Sequence, residues 1–184
     1  MGELERRFPD EVAAALGKYP APRRAAAALD LLYLAQVAYG RITVAAAREV
    51  ADLTGLEETH IQALVGFYGL FQDVPRGRWV VHYCTDLPCA LAGADEFLAT
   101  LVDRLGCRPG ETSADGMFSL ETTMCLAACH RAPVLQVNLE YFENMTVESL
   151  DGLVARLREL AAGDPPRRPP MGLGPPSDLA GSPA

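Results

Sequence analysis

The sequence has no long apolar run, no dense basic cluster and only three histidines among its 184 residues. Each shortage closes off a class of function. The most apolar window, Ala25 to Tyr39, is broken by Asp30 and Gln36 and is too short to cross a bilayer, so no direct membrane insertion is expected. Sixteen Lys and Arg stand against 24 Asp and Glu, a net charge of −8. Basic side chains occur in pairs such as Arg23-Arg24 and Arg167-Arg168 rather than in patches, so nucleic acid is not an expected partner. Neither a G-x-G-x-x-G fingerprint nor a Walker loop is present, and no stretch reads as a nucleotide cradle. The first twenty residues are studded with Glu3, Glu5, Arg6, Arg7 and Asp10 instead of forming an apolar targeting core, and Arg6 stands where a myristoylation motif has Ser or Thr. Five cysteines are an odd number, and their close spacing does not suggest disulfide staples. A reducing cytosol is the expected compartment.

Four of those cysteines form two short-spaced pairs. Four residues separate Cys84 from Cys89, three separate Cys125 from Cys129, and thirty-five lie between the pairs. A fold can bring such pairs together around one inorganic centre. Thiolates are soft ligands that select zinc, an iron-sulfur cluster or copper(I). Zinc ribbons usually carry two C-x2-C knuckles, whereas a first pair at this spacing recurs in [2Fe-2S] proteins, so a cluster is favoured and zinc stays open. A dithiol redox enzyme fits less well, because its motif is C-x2-C at a helix start. Rieske chemistry would need histidine ligands. His60, His82 and His130 read as structural or surface groups, and Cys107, just past Gly106, reads as an inert buried thiol. Asp86 is the one acidic group inside either loop. It either lowers a cluster's reduction potential or turns to water and caps the following helix.

The rest of the chain reads as scaffold. Leu4, Phe8, Val12, Ala15 and Leu16 make a helical stripe, broken by Pro20 and Pro22. Helices are expected over Arg23–Tyr39, ended by Gly40, from the Thr43 cap to about Leu53, and over Glu57–Phe71. After the turn at Val74-Pro75-Arg76-Gly77, Trp79 to Tyr83 reads as a strand running into Cys84. A helix over Ala90–Leu105, strands over Met117–Met124, Pro133–Asn138 and Glu140–Asn144, and a Thr146-capped helix to Leu160 complete the pattern. The expected fold is α/β. An N-terminal helical bundle (1–74) precedes a thioredoxin-like or ferredoxin-like domain (75–162), with a four-stranded sheet and packed helices. Half of the chain's 14 prolines fall in residues 163–184, so that tail is expected to be a disordered extension, formally offering a polyproline segment.

Gly66-Phe67-Tyr68, Pro75-Arg76-Gly77, Cys84-Thr-Asp-Leu-Pro-Cys89, Asp115-Gly116-Met117-Phe118, Cys125-Leu-Ala-Ala-Cys129 and Ala132-Pro133-Val134 together resemble the 24-kDa subunit family of NADH-quinone oxidoreductase, respiratory complex I. The resemblance spans roughly residues 15 to 162. It implies a thioredoxin-like domain holding one [2Fe-2S] cluster on Cys84, Cys89, Cys125 and Cys129. It also implies a flavoprotein partner, with FMN and NADH bound only there, that exchanges single electrons with the cluster off the main route to quinone. Further peripheral-arm subunits of complex I would complete the assembly, placing the chain in the cytoplasm, peripheral on the inner membrane. Related subunits serve NAD-linked hydrogenases and formate dehydrogenases, and a four-cysteine zinc interaction module is the remaining alternative. Two positions depart from the family's habit: Met124 stands where Glu is common, and Ala127 where Gly is common. Ala127 is expected to adopt a negative φ, because a left-handed alanine costs about 1 kcal/mol relative to glycine.

Overall fold

A computed structural model describes residues 2–163, so the proline-rich stretch expected to be disordered lies, beyond Gly163, outside the described residues. The chain divides into two compact units, one ending at Pro75 and one starting at Arg76.

The first unit is helical: α1 (Glu3–Arg7), α2 (Pro9–Gly17), a 3-10 segment (Ala21–Ala27), α3 (Ala28–Tyr39), α4 (Val44–Thr54) and α5 (Glu58–Phe67). Its core is built from α3 and the helices around it, with Leu31, Leu32, Ala46, Val50 and Ile61 fully buried. Helix ends follow the local chemistry. Thr43 accepts the Ala46 N–H, and Gly40 and Gly55 terminate α3 and α4 in the left-handed conformation. The expected single helix over Arg23–Tyr39 is instead a 3-10 segment followed by an α-helix from Ala28. Pro22 has no N–H to give, and Arg23 bonds back to the Pro20 carbonyl at 2.7 Å with non-helical angles, so the first turns stay tight.

The helix expected to reach Phe71 stops at Phe67. Buried Gln36 of α3 explains the early end. Its Nε2 donates to the Leu70 carbonyl at 3.0 Å and its Oε1 accepts the Gln72 N–H at 2.7 Å. One amide thus replaces the backbone partners that another helical turn would have supplied.

The second unit runs β1 (Trp79–Cys84), α6 (Leu87–Leu91), α7 (Ala94–Leu105), β2 (Phe118–Thr123), β3 (Leu135–Val137), β4 (Glu140–Phe142) and α8 (Val147–Ala162). The strands form one sheet in the order β2-β1-β3-β4; β1 is parallel to β2 and antiparallel to β3, and β3 is antiparallel to β4. This mixed four-stranded sheet with packed helices is the expected thioredoxin-like arrangement. Trp79, Val81 and Tyr83 of β1 enter one core with Phe118, Leu120, Leu135, Val137 and the apolar sides of α7 and α8. The helix expected over Ala90–Leu105 is two helices, because Gly93 turns left-handed (φ 88°) between them. The strand expected over Pro133–Asn138 shortens to three residues: Pro133 lacks an N–H, and Asn138 is left-handed (φ 56°) at the hairpin turn.

The ends of this unit are tied together. The Arg78 guanidinium donates to the carbonyls of Ala161 (2.6 Å) and Leu160 (3.1 Å), and Trp79 Nε1 donates to the Leu157 carbonyl at 3.1 Å. Arg78, just before β1, and Trp79, its first residue, thereby satisfy carbonyls at the end of α8, whose last turn has no basic residue of its own.

Asp115 gives the unit an acid-sensitive joint. Ser113, the Met117 N–H and Arg158 hold its carboxyl down at about 2. A depressed pKa contributes stability that is present above the unfolded value near 4 and is lost as pH falls toward 2. The urea midpoint is therefore expected to fall between about pH 5 and pH 3 more steeply in the parent chain than in Asp115→Asn. Equal slopes would remove Asp115 from the acid response.

Candidate metal centre

The fold delivers the four spaced cysteines to one end of the sheet. Cys84 is the last residue of β1, Cys89 lies in α6 just beyond, and Cys125 follows β2 after one intervening residue. Parallel pairing of β1 with β2 runs from Trp79↔Phe118 to Cys84↔Thr123, so the first cysteine is set beside the chain leading to the second pair. The loop then folds back, placing Cys129 at the start of a short 3-10 turn (Cys129–Arg131).

The two pairs have different surroundings. Cys84 and Cys89 are 2% and 0% exposed, whereas Cys125 and Cys129 are both exposed. Burial, and then the hydrogen bond that the Cys89 thiol donates to the neighbouring Cys84, push the Cys89 thiol up to about 11, while the Val134 backbone pulls the other way. A metal must therefore displace a tightly held proton there. The outer sulfurs are 3.7 Å apart. A tetrahedral centre with metal–sulfur bonds of about 2.3 Å sets two thiolates about 3.8 Å apart, so the two thiols, now in hydrogen-bond contact, already stand at a spacing that one ion can accept. The Ala127 N–H points at Cys125 Sγ from 3.3 Å, a bond that lowers its pKa. Hydrogen bonds to Cys129 and Asp86 outweigh that effect and leave the thiol raised. Buried sulfurs, a paired outer set and an N–H aimed at sulfur fit the demands of a thiolate-bound cluster.

Ala127 corrects the sequence expectation: its φ is +59°, left-handed rather than negative. The C-x3-C loop must reverse within three residues while bringing its sulfurs together, and the left-handed residue is the one whose N–H meets Cys125. The strain lies in the region that favours glycine. Ala127→Gly is expected to stabilise the metal-free chain by about 0.5–1 kcal/mol, read from the shift in urea midpoint. A lower midpoint would mean that the loop stores no such strain.

Of the two expectations for Asp86, the structure shows the cap. Its Oδ1 accepts the Leu87 N–H at 2.9 Å and caps α6, and one of its carboxylate oxygens also lies with Cys125 Sγ and Cys129 Sγ in a set whose atoms are all within 4.8 Å of one another. Its closeness to the outer pair, across 39 residues of sequence, is not legible from spacing. Cys107 is buried elsewhere in the core with its thiol toward the Phe118 carbonyl at 3.7 Å, and burial raises its pKa. Tyr83 is buried beneath the site, donating to the Ala94 carbonyl at 2.9 Å. Leu87, Leu91 and Met124 leave 67%, 81% and 79% of their surface exposed, and all lie close in sequence to the cysteine loops.

A four-stranded thioredoxin-like sheet presenting two cysteine pairs at one end defines an α/β scaffold with a candidate metal centre. The chain belongs to the thioredoxin-like [2Fe-2S] ferredoxin family, which matches residues 12–158. Among its relatives, NADH-quinone oxidoreductase subunit 2 of Thermus thermophilus is 42% identical over 142 residues, covering 77% of this chain and 78% of the relative. An NADH-quinone oxidoreductase subunit of Rhizobium meliloti is 38% identical over 149 residues, covering 81% and 88%. Among solved structures, an NAD+-reducing [NiFe]-hydrogenase in the H2-reduced state superposes with a TM-score of 0.61 at 23% identity. That match covers 72% of this chain and 22% of the hydrogenase chain, a likeness of fold. Among the described residues no helix is long and apolar enough to cross a membrane.

Proposed function

We propose that this chain is the electron-transfer subunit of an NADH-quinone oxidoreductase and carries one [2Fe-2S] cluster on Cys84, Cys89, Cys125 and Cys129. The observation that carries the reading is the arrangement of the thiols as two pairs at one sheet end, the outer one at single-ion spacing. A cluster of this type supplies one-electron transfer when bound. The chain's part is to hold and shield it. Cys84 and Cys89 grip the inner side away from water, Cys125 and Cys129 hold the side nearer the surface, and the Ala127 N–H stabilises the Cys125 thiolate. NADH and FMN belong to a flavoprotein partner. The exposed Leu87, Leu91 and Met124 beside the cysteine loops support docking of an apolar partner surface there. Attachment is to the peripheral arm of the complex, on the cytoplasmic side of the inner membrane.

Anaerobically purified full-length protein is expected to hold about two irons and two sulfides per chain and to become paramagnetic on dithionite reduction. Zinc in place of iron and sulfide would overturn the reading. Co-purification identifies the parent enzyme: complex I subunits support the proposal, and hydrogenase or formate dehydrogenase subunits replace it.

A further inference from the structure

We propose that Asp86, Cys125 and Cys129 form a site for a single divalent ion of borderline softness, such as zinc, and that this ion competes with the cluster for the outer cysteine pair. The competition rests on the cluster reading above; the ion site does not.

The geometry separates two kinds of metal binding. A single tetrahedral ion needs all its ligands close to one another. Among the described residues, three donors meet that condition, namely one carboxylate oxygen of Asp86 and the sulfurs of Cys125 and Cys129, all within 4.8 Å. Neither Cys84 nor Cys89 belongs to that set. The four thiols are therefore arranged for a centre with two metals, and a lone ion is offered two thiolates plus a carboxylate, with water in the fourth position. The carboxylate is held in place by the Leu87 N–H bond at 2.9 Å, and both outer thiols are open to solvent. Binding converts both thiols to thiolates and releases two protons per ion. The buried inner pair, Cys84 and Cys89, is not part of any such set among the described residues.

The test uses full-length protein stripped of metal and kept reduced. It is titrated with Co2+, which is then displaced by Zn2+. Sulfur-to-cobalt charge-transfer intensity grows with the number of thiolates bound. Two thiolates are expected in the parent chain and an unchanged spectrum in Cys84→Ser. Asp86→Asn is expected to weaken Zn2+ at least about tenfold. Asparagine is as good a helix N-cap as aspartate, so a loss of affinity in this variant does not reflect a lost cap. Zinc added before iron and sulfide should slow cluster reconstitution in the parent chain, and less in Asp86→Asn. A four-thiolate cobalt spectrum, or zinc affinity indifferent to Asp86→Asn, overturns the ion site. Iron and sulfide content of the untreated holoprotein tests the cluster separately. Two irons with a four-thiolate cobalt spectrum sink only the ion site, and a two-thiolate spectrum with no recoverable iron-sulfur centre sinks only the cluster.

Discussion

Cys89→Ser is expected to reduce iron from about two per chain to near zero, while Cys107→Ser retains the full complement. Both thiols are buried, so exposure does not distinguish them. Surroundings do. Cys89 shares a hydrogen bond with Cys84 and feels the charge of Cys129, whereas Cys107 faces a backbone carbonyl of β2 and no other thiol. Serine at position 89 would put a hard, un-ionised hydroxyl where a soft ligand is required. Because metal binding and folding energy are coupled at such sites, Cys89→Ser should also lower the melting temperature of the purified protein, by more than Cys107→Ser does. Iron, sulfide and visible absorbance measured on the two variants check the expectation. Were Cys107→Ser to bleach the protein and Cys89→Ser to leave it coloured, the proposed ligand set would be wrong.

Gly77→Ala is expected to cost about 3 kcal/mol of stability in the second unit, although no thiol is touched. A Cβ built on Gly77 would lie 2.6 Å from the Phe118 carbonyl carbon and 2.9 Å from the backbone nitrogens of Phe118 and Ser119. Those are backbone atoms of β2, which cannot swing aside as a side chain would. The Gly77 N–H is also fixed, donating at 2.7 Å to the fully buried Ser119 hydroxyl, itself 2.6 Å from the Thr112 hydroxyl. Any shift of the chain to relieve the clash loosens these bonds and the β1–β2 pairing that aligns Cys84 with Thr123. Gly152→Ala is the control. Nothing lies within 4 Å of its added Cβ, it sits mid-helix in α8, and it should gain about 0.5–1 kcal/mol. Urea unfolding of both variants decides it, and an unmoved midpoint for Gly77→Ala would mean that β2 yields more easily than its pairing suggests.

What the sequence made legible was local. Thr43 and Thr146 announce helix starts, Gly40 announces a helix end, and the cysteine pairs announce a candidate soft-metal centre, because each signal acts within a few residues of itself. The misses were effects of tertiary contact or backbone constraint. Gln36 shortens α5 from more than thirty residues away, and nothing in Glu57–Phe71 reveals that partner. Asp86 reaches the outer cysteines only because β1 and β2 lie side by side. Ala127 defied its own propensity: alanine disfavours a left-handed backbone, but the loop's sulfur spacing and its N–H to Cys125 prevail over that preference.

The bonds from Arg78 and Trp79 to the end of α8 bear on how the chain comes off the ribosome. The second unit's first strand is anchored to its last helix by contacts spanning 78 to 83 residues. During synthesis Arg78 and Trp79 emerge well before their partners, and neither can make these bonds until the chain beyond Leu157 has cleared the exit tunnel. Both anchors are therefore among the last contacts of this unit that a growing chain can make.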